Sequence, residues 1–182
     1  MKNVFVTIFI LILGTQLLAI EVSKKKIEFY VEHPAKNVTG VCNEIQMDQP
    51  KLRFSNGKYN LQAPFYIKIP ILKISSGDSD RDAHIQEILG YPNTPIIEVK
   101  VESIQSSKEN AEIYTIKGKI TIHGMSKDFS TEANVNKLSG VDGLKVDGMV
   151  TLKFSEYALE NPSLLFLKAK DDIQVKYLFV LK

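Results

Sequence analysis

The stretch "EIYTIKGKITIH", residues 112–123, alternates without a break. Tyr114, Ile116, Gly118, Ile120 and Ile122 fall on one face; Thr115, Lys117, Lys119, Thr121 and His123 fall on the other. A period of two predicts a β-strand with one apolar and one wet face. The pattern recurs along the chain. "IEFYVEH" aligns Ile27, Phe29 and Val31, and "FYIKIPI" aligns Phe65, Ile67, Ile69 and Ile71. "IIEVKVES" aligns Ile97, Val99 and Val101, and "DFSTEANVN" aligns Phe129, Thr131, Ala133 and Val135. "LKVDGMVTLKF" sets Leu144, Val146, Gly148, Val150, Leu152 and Phe154 on one side. "IQVKYLFVL" does the same with Ile173, Val175, Tyr177, Phe179 and Leu181, and "NVTGVCNEIQ" reads as a further strand. Turn signals join them: "SNGK" at 55–58, "HGMS" at 123–126 and "SGVDG" at 139–143.

Long antiparallel strands with one apolar face must bury that face together, in a sandwich or a closed barrel. Closure removes the unpaired edges. With roughly eight strands a barrel interior is either filled by side chains or holds one small ligand. The expected fold is therefore all-β, an antiparallel closed barrel of about eight strands with a short helix near residues 80–90. Periodicity does not separate a packed core from a lined cavity. On the cavity reading, the ligand would touch Phe29, Val31, Ile67, Ile69, Val99, Val101, Tyr114 and Ile116. It would also touch Ile120, Ile122, Phe129, Val135, Val146, Val150 and Leu152. Gly40, Gly118 and Gly148 read as gaps in that lining.

Composition sets the limits. The chain has 182 residues, 44% hydrophobic and 24% charged, enough for one domain with a real core. A net charge of +2 gives no argument for a nucleic-acid partner. "VFVTIFILILG", Val4 to Gly14, follows a positive Lys2 and precedes "TQLLA", which ends on the small Ala19. That is the layout of a signal peptide over residues 1–19, and the run is shorter than the ~20 apolar residues a spanning helix needs. One domain is expected over 20–182, exported to the periplasm or secreted. Export permits disulfides, but a lone Cys42 allows no internal bridge and reads as a small buried hydrophobe.

"GDSDRDAH", residues 77–84, offers a metal loop, an acid–base site or a helix cap. A calcium loop counted from Asp78 wants Gly and Glu at its sixth and twelfth positions; the chain has Ala83 and Leu89. His33, His84 and His123 lack metal-ligand spacing, so no metal is expected. A helix fits better. Ile85, Ile88 and Leu89 make one apolar stripe, Asp and Ser precede it, and Gly90 and Pro92 end it. Such a helix would cover a barrel opening or a strand edge, with Arg81 held by an acid or carbonyl of the barrel.

The segment "ISSGDSDRDAHIQEILGYPNTPIIEVKVESI" resembles the central motif of the YceI-like, polyisoprenoid-binding family of bacterial exported proteins. The resemblance rests on Ser76, Gly77, Arg81, Asp82, His84, Tyr91, Pro92 and Ile97. "IEFYVEHPAKNVTG" is similar to the opening strand, with His33 and Gly40 in place. "YTIKGKITIHGMSKDFSTEANV" is similar to the strand–turn–strand, through Ile120, Thr121, Ile122, Gly124, Ser126 and Lys127. "GMVTLKFSEYAL" carries Glu156, Tyr157 and Ala158 where the family reads Asp-Phe-Gly. The resemblance implies a lipocalin-like barrel whose lumen carries an isoprenoid or similar long-chain lipid, of the quinone or polyprenyl phosphate type. It implies a structural role for Arg81, Asp82 and His84, no catalytic residue and no cofactor beyond the lipid. A transient membrane contact and self-association are compatible with it. Two other readings stand beside it: an enzyme acting on a small substrate at the barrel mouth, and a packed-barrel interaction protein without ligand.

Overall fold

The computed structural model describes residues 18–19, 21–140, 143–164 and 166–182. The expected signal peptide therefore lies outside the described residues, apart from Leu18 and Ala19. The strands are β1 (Leu18–Ala19), β2 (Val22–Val31), β3 (Val38–Cys42), β4 (Gln46–Met47), β5 (Lys51–Ser55), β6 (Lys58–Leu61) and β7 (Phe65–Pro70). They continue as β8 (Ile96–Ser106), β9 (Ile113–Ile122), β10 (Met125–Lys137), β11 (Leu144–Lys153), β12 (Ser163–Leu164), β13 (Leu167–Lys168) and β14 (Asp172–Leu181). One helix, α1 (Ser79–Ile88), lies between β7 and β8.

Nine strands form one curled antiparallel sheet, in the order β3-β2-β14-β11-β10-β9-β8-β7-β4. Eight of them are the alternating segments of the sequence. The ninth, β4, has two residues, too few to carry a period. The turns match their signals. Asn56 and Gly57 between β5 and β6, and His123 and Gly124 between β9 and β10, all have positive φ. Two successive positive-φ residues are what a tight two-residue hairpin needs.

The expectation of a closed barrel is corrected to a half-barrel. The hydrogen-bonded order does not run on from β4 to β3. The β3 edge instead meets the approach to α1 at one bridge, where Val41 and Ser75 exchange backbone bonds of 2.8 and 2.9 Å. The reason is local. β7 ends on Pro70, which has no N–H to continue a ladder, and the chain turns through a short 3-10 helix, Ile71–Lys73. The segment Ile74–Leu89 then occupies the place of a closing strand pair. Alternation reports faces, not whether the first and last strands pair.

The glycine expectation is also corrected. Each proposed gap faces an aromatic residue on the next strand: Phe29 pairs with Gly40, Phe129 with Gly118 and Tyr177 with Gly148. A Cβ built on Gly40 would overlap the Phe29 ring, and one on Gly148 would overlap the Tyr177 hydroxyl end. The rings therefore fill the missing side-chain volume, a cross-strand packing that compensates for glycine's weakness in sheets.

The concave face carries two apolar clusters. One gathers Cys42, Ile67, Ile69, Val101, Phe179 and Leu181. The other gathers Val31, Ile120, Ile122, Leu152 and Phe154, with Ile88 of α1 and Leu159 of the β11–β14 connection. Strand direction sorts the ends. The C-terminal ends of β2, β7, β9 and β11 share one end of the half-barrel with α1, the 32–37 turn and the 154–171 connection. The β5–β6 hairpin serves the opposite end, where the Tyr59 N–H donates to the Tyr114 hydroxyl at 3.0 Å.

Candidate functional site

The clusters do not meet in a solid core. Between them runs an apolar cavity of about 530 Å³. All fifteen residues expected to touch a ligand stand on its wall: Phe29, Val31, Ile67, Ile69, Val99, Val101, Tyr114, Ile116, Ile120, Ile122, Phe129, Val135, Val146, Val150 and Leu152. Tyr114 and Ile122 both line it, so it extends about 26 Å along β9 at ~3.3 Å per residue. Phe29, Val99, Ile116, Val146 and Val150 are only half-buried although they point inward, because their side chains face the cavity.

The wall has members that the expected set lacked. Ile173, Val175, Tyr177, Phe179 and Leu181 of β14 all line it, and the alternation of β14 carried that signal. Ile85, Ile88 and Leu89 close one side from α1, and Leu52 and Tyr59 close the far end from the β5–β6 hairpin. Nothing in local sequence placed that hairpin against the lumen.

α1 is built as its sequence suggests. Asp78 caps it, its carboxylate accepting the Arg81 N–H at 3.0 Å. Leu89 ends it, and Gly90 follows at φ +90. A side chain at Gly90 would overlap His123 and Thr94, so helix and β9–β10 turn sit together because this residue has none. Arg81 does find a carbonyl, but not one on the sheet strands. Its Nη2 donates to Ser76 O at 2.8 Å and its Nε to Ser76 Oγ at 2.9 Å. The guanidinium braces the loop into α1 rather than fastening a lid to a strand.

Asp82 works on the same loop. It accepts from Ser76 N at 2.6 Å, from Ser75 Oγ at 3.0 Å and from the Ser76 hydroxyl. Desolvation alone would raise its carboxyl; the bonds from Ser76 and Ser75, with positive Arg81 beside it, hold it below the usual carboxylate range. A lowered folded pKa stabilises above the unfolded value of about 3.9, and that stability is lost as pH falls through the folded value. Asp82→Asn is thus expected to cost about 1–2 kcal/mol near neutrality through the weakened bonds. The difference from the parent should vanish in acid, as urea melts at a series of pH values would show.

His84 stands exposed on α1, with Nδ1 3.8 Å from Glu87, and lines the cavity at its rim. His33 is buried and fully engaged. Its Nδ1 accepts from Ala35 N at 3.1 Å, so its Nε2 carries the proton and donates to Leu167 O at 3.0 Å. It ties the end of β2 to the β12–β13 hairpin and leaves no nitrogen for general-base work. Burial pushes the Cys42 thiol up, away from a nucleophile's range. Among the described residues no three His, Cys, Asp or Glu side chains come together as metal ligands. Nor, among the described residues, does any Asp or Glu line the cavity. The geometry offers shape and apolar surface rather than a paired acid and base.

Solved structures share this architecture. The chain is similar to BcnA of Burkholderia cenocepacia, with a TM-score of 0.70 at 16% identity, covering 86% of this chain and 95% of that one. A polyisoprenoid binding domain from Saccharophagus degradans, implicated in plant cell wall breakdown, has a TM-score of 0.66 at 14% identity, covering 92% and 99%. A YceI protein of Campylobacter jejuni has a TM-score of 0.63 at 20% identity, covering 81% and 86%. At these identities the likeness is one of fold. Comparison with curated protein sequences finds no match. The family model for the YceI-like domain matches residues 18–181, nearly the whole chain, and the chain belongs to that family.

Proposed function

We propose that this protein is an exported, non-catalytic carrier that holds one isoprenoid or similar long-chain lipid along the half-barrel, with α1 completing the enclosure as a closed barrel would. The observation that carries the reading is the apolar cavity of about 530 Å³, within the ~300–1,000 Å³ range of small-molecule sites. Its length suits a flexible chain better than a compact substrate. Burying each CH₂ is worth ~0.8 kcal/mol, so ten buried units contribute ~8 kcal/mol before immobilisation costs of several kcal/mol. Affinity then needs no strong polar contact. The family's likeness to a polyisoprenoid binding domain supports the same ligand class. The cavity also speaks against a solid interaction domain.

Native and intact mass spectrometry of protein purified from its own host tests both halves of the proposal. The expected result is a mature chain that begins near Ile20 and carries a lipid-sized adduct released by organic solvent. A cleavage there removes the backbone pairing of Leu18 and Ala19 with Leu52 and Lys51, so the cavity must be intact without β1. Protein that retains residues 1–19 would sink the export reading. Protein that carries no lipid, and takes none from a membrane extract, would sink the carrier reading.

A further inference from the structure

The two ends of the cavity differ in charge. At the β5–β6 end the lining is Pro50, Leu52, Tyr59 and Tyr114, all neutral, and the Tyr114 hydroxyl is already engaged by Tyr59 N–H. At the α1 end the lining includes Lys36 of the 32–37 turn, with Arg81 and His84 of α1. Lys36 and His84 are exposed and Arg81 is half-buried, so all three reach both the cavity and solvent. Long basic side chains do this by laying apolar stems on a wall and keeping the charged head wet. Among the described residues no carboxylate stands on the wall with them. Asp82, the neighbour of Arg81, is turned onto Ser75 and Ser76 and does not line the cavity. Of the other acids at this end, Glu32 pairs with Lys170 at 2.8 Å, Glu87 lies 3.8 Å from His84, Asp78 caps α1 and Asp171 accepts from Ser155; Asp80, Glu156, Glu160 and Asp172 are exposed, and none of these lines the cavity. Arg81 is held by Ser76 through Nε and Nη2, which fixes the guanidinium beforehand.

We infer that the α1 end is a headgroup site for an anion, a phosphate or carboxylate, and that the lipid enters tail first toward Tyr114. The inference rests on the carrier reading above. An apolar tube whose wall carries Lys36 and Arg81 at one end and no charged side chain at the other complements a chain with a single negative head. The low-dielectric wall strengthens the attraction relative to open water. A neutral lipid of the same length would fill the tube without using the cations.

The test compares geranylgeranyl monophosphate with geranylgeraniol, using displacement of a neutral apolar fluorophore from the mature protein. The phosphate is expected to bind about tenfold more tightly at low salt, and the gap should narrow as salt screens the cations. Lys36→Glu and Lys36→Gln, at an exposed position, should each weaken the phosphate more than the alcohol and so shrink the gap, the charge reversal more than the neutralisation, with the fold retained in a thermal melt. Inorganic phosphate alone should displace nothing, which separates a lipid headgroup from a free anion. Equal affinity of the two lipids would overturn the headgroup site and leave the carrier reading standing, as would a gap that both variants leave intact. Displacement by inorganic phosphate would show a free-anion site instead. Binding of neither lipid would overturn the carrier reading and the headgroup site together.

Discussion

Gly118→Ala is expected to lower stability by about 3 kcal/mol, at the upper end of what overpacking costs. One methyl group has this effect because of where it lands. Gly118 of β9 faces Val101 of β8, where the β8 register shifts between Val101 and Ser103. That irregularity brings the Lys100 carbonyl over Gly118, and a Cβ there would overlap this backbone oxygen. The Phe129 ring crowds the same point from β10. A side chain can rotate away from an intruder; a ladder carbonyl in the middle of a nine-stranded sheet cannot do so without breaking its neighbours' bonds. Thermal melts should show a loss of about 6–12 °C, taking ~2–4 °C per kcal/mol for a chain of this size. Gly40→Ala is the comparison. The atoms nearest its Cβ belong to the Phe29 ring, which borders the cavity and can turn toward it, so a cost nearer 1 kcal/mol is expected. Equal melting of Gly118→Ala and the parent would mean that β8 moves freely against β9.

Ile120→Glu should remove bound lipid and stability together. Ile120 is 4% exposed and lines the cavity toward the C-terminal end of β9. Its strand neighbours across are Val99 and Lys127, and Lys127 is exposed where Ile120 is buried. An unpaired carboxylate there must be desolvated or take up a proton, at a cost of several kcal/mol. Ile120→Phe separates the two losses. It adds volume without charge, and the cavity gives the ring somewhere to go, so it should fold nearly as well as the parent and hold less lipid. Lys117→Glu is the control, since Lys117 points outward from the same strand; Lys119 is a poorer choice because it pairs with Asp128. Lipid occupancy by native mass spectrometry beside a melt for each variant gives the answer. Severe destabilisation by Ile120→Phe, with no lipid on any variant, would make the interior a packed core.

The wall of the cavity was legible because alternation is a local signal and the wall is made of alternating strands. Ile116 and Val150 could be assigned to a face without knowing their neighbours. What was not legible depends on pairing across the sheet. Whether β3 meets β4 is decided by the course of Pro70–Leu89, which no period encodes. The partners of Gly40, Gly118 and Gly148 require the register, and register comes from turn geometry and packing over many residues. The placement of Leu52 and Tyr59 over the far end is a tertiary contact with no sequence period at all. Arg81 was expected to reach a carbonyl, but its partner sits five residues back, because a helix that starts at Asp78 turns Arg81 toward its own entry loop.

The three pairings of ring with glycine also act as keys that admit one alignment of neighbouring strands. A slip of one residue turns every side chain to the wrong face and is punished everywhere. A slip of two keeps the faces and would otherwise pass unnoticed. Here it would set Phe129 against Ile116 or Ile120, Phe29 against Val38 or Cys42, and Tyr177 against Val146 or Val150, with no hollow to receive the ring. The keys sit at three separate interfaces, β2–β3, β9–β10 and β11–β14, so each hairpin or long-range pairing is proofread on its own. A sheet that lines a cavity cannot rely on a dense core to correct its alignment, and these pairs supply that correction from within the wall.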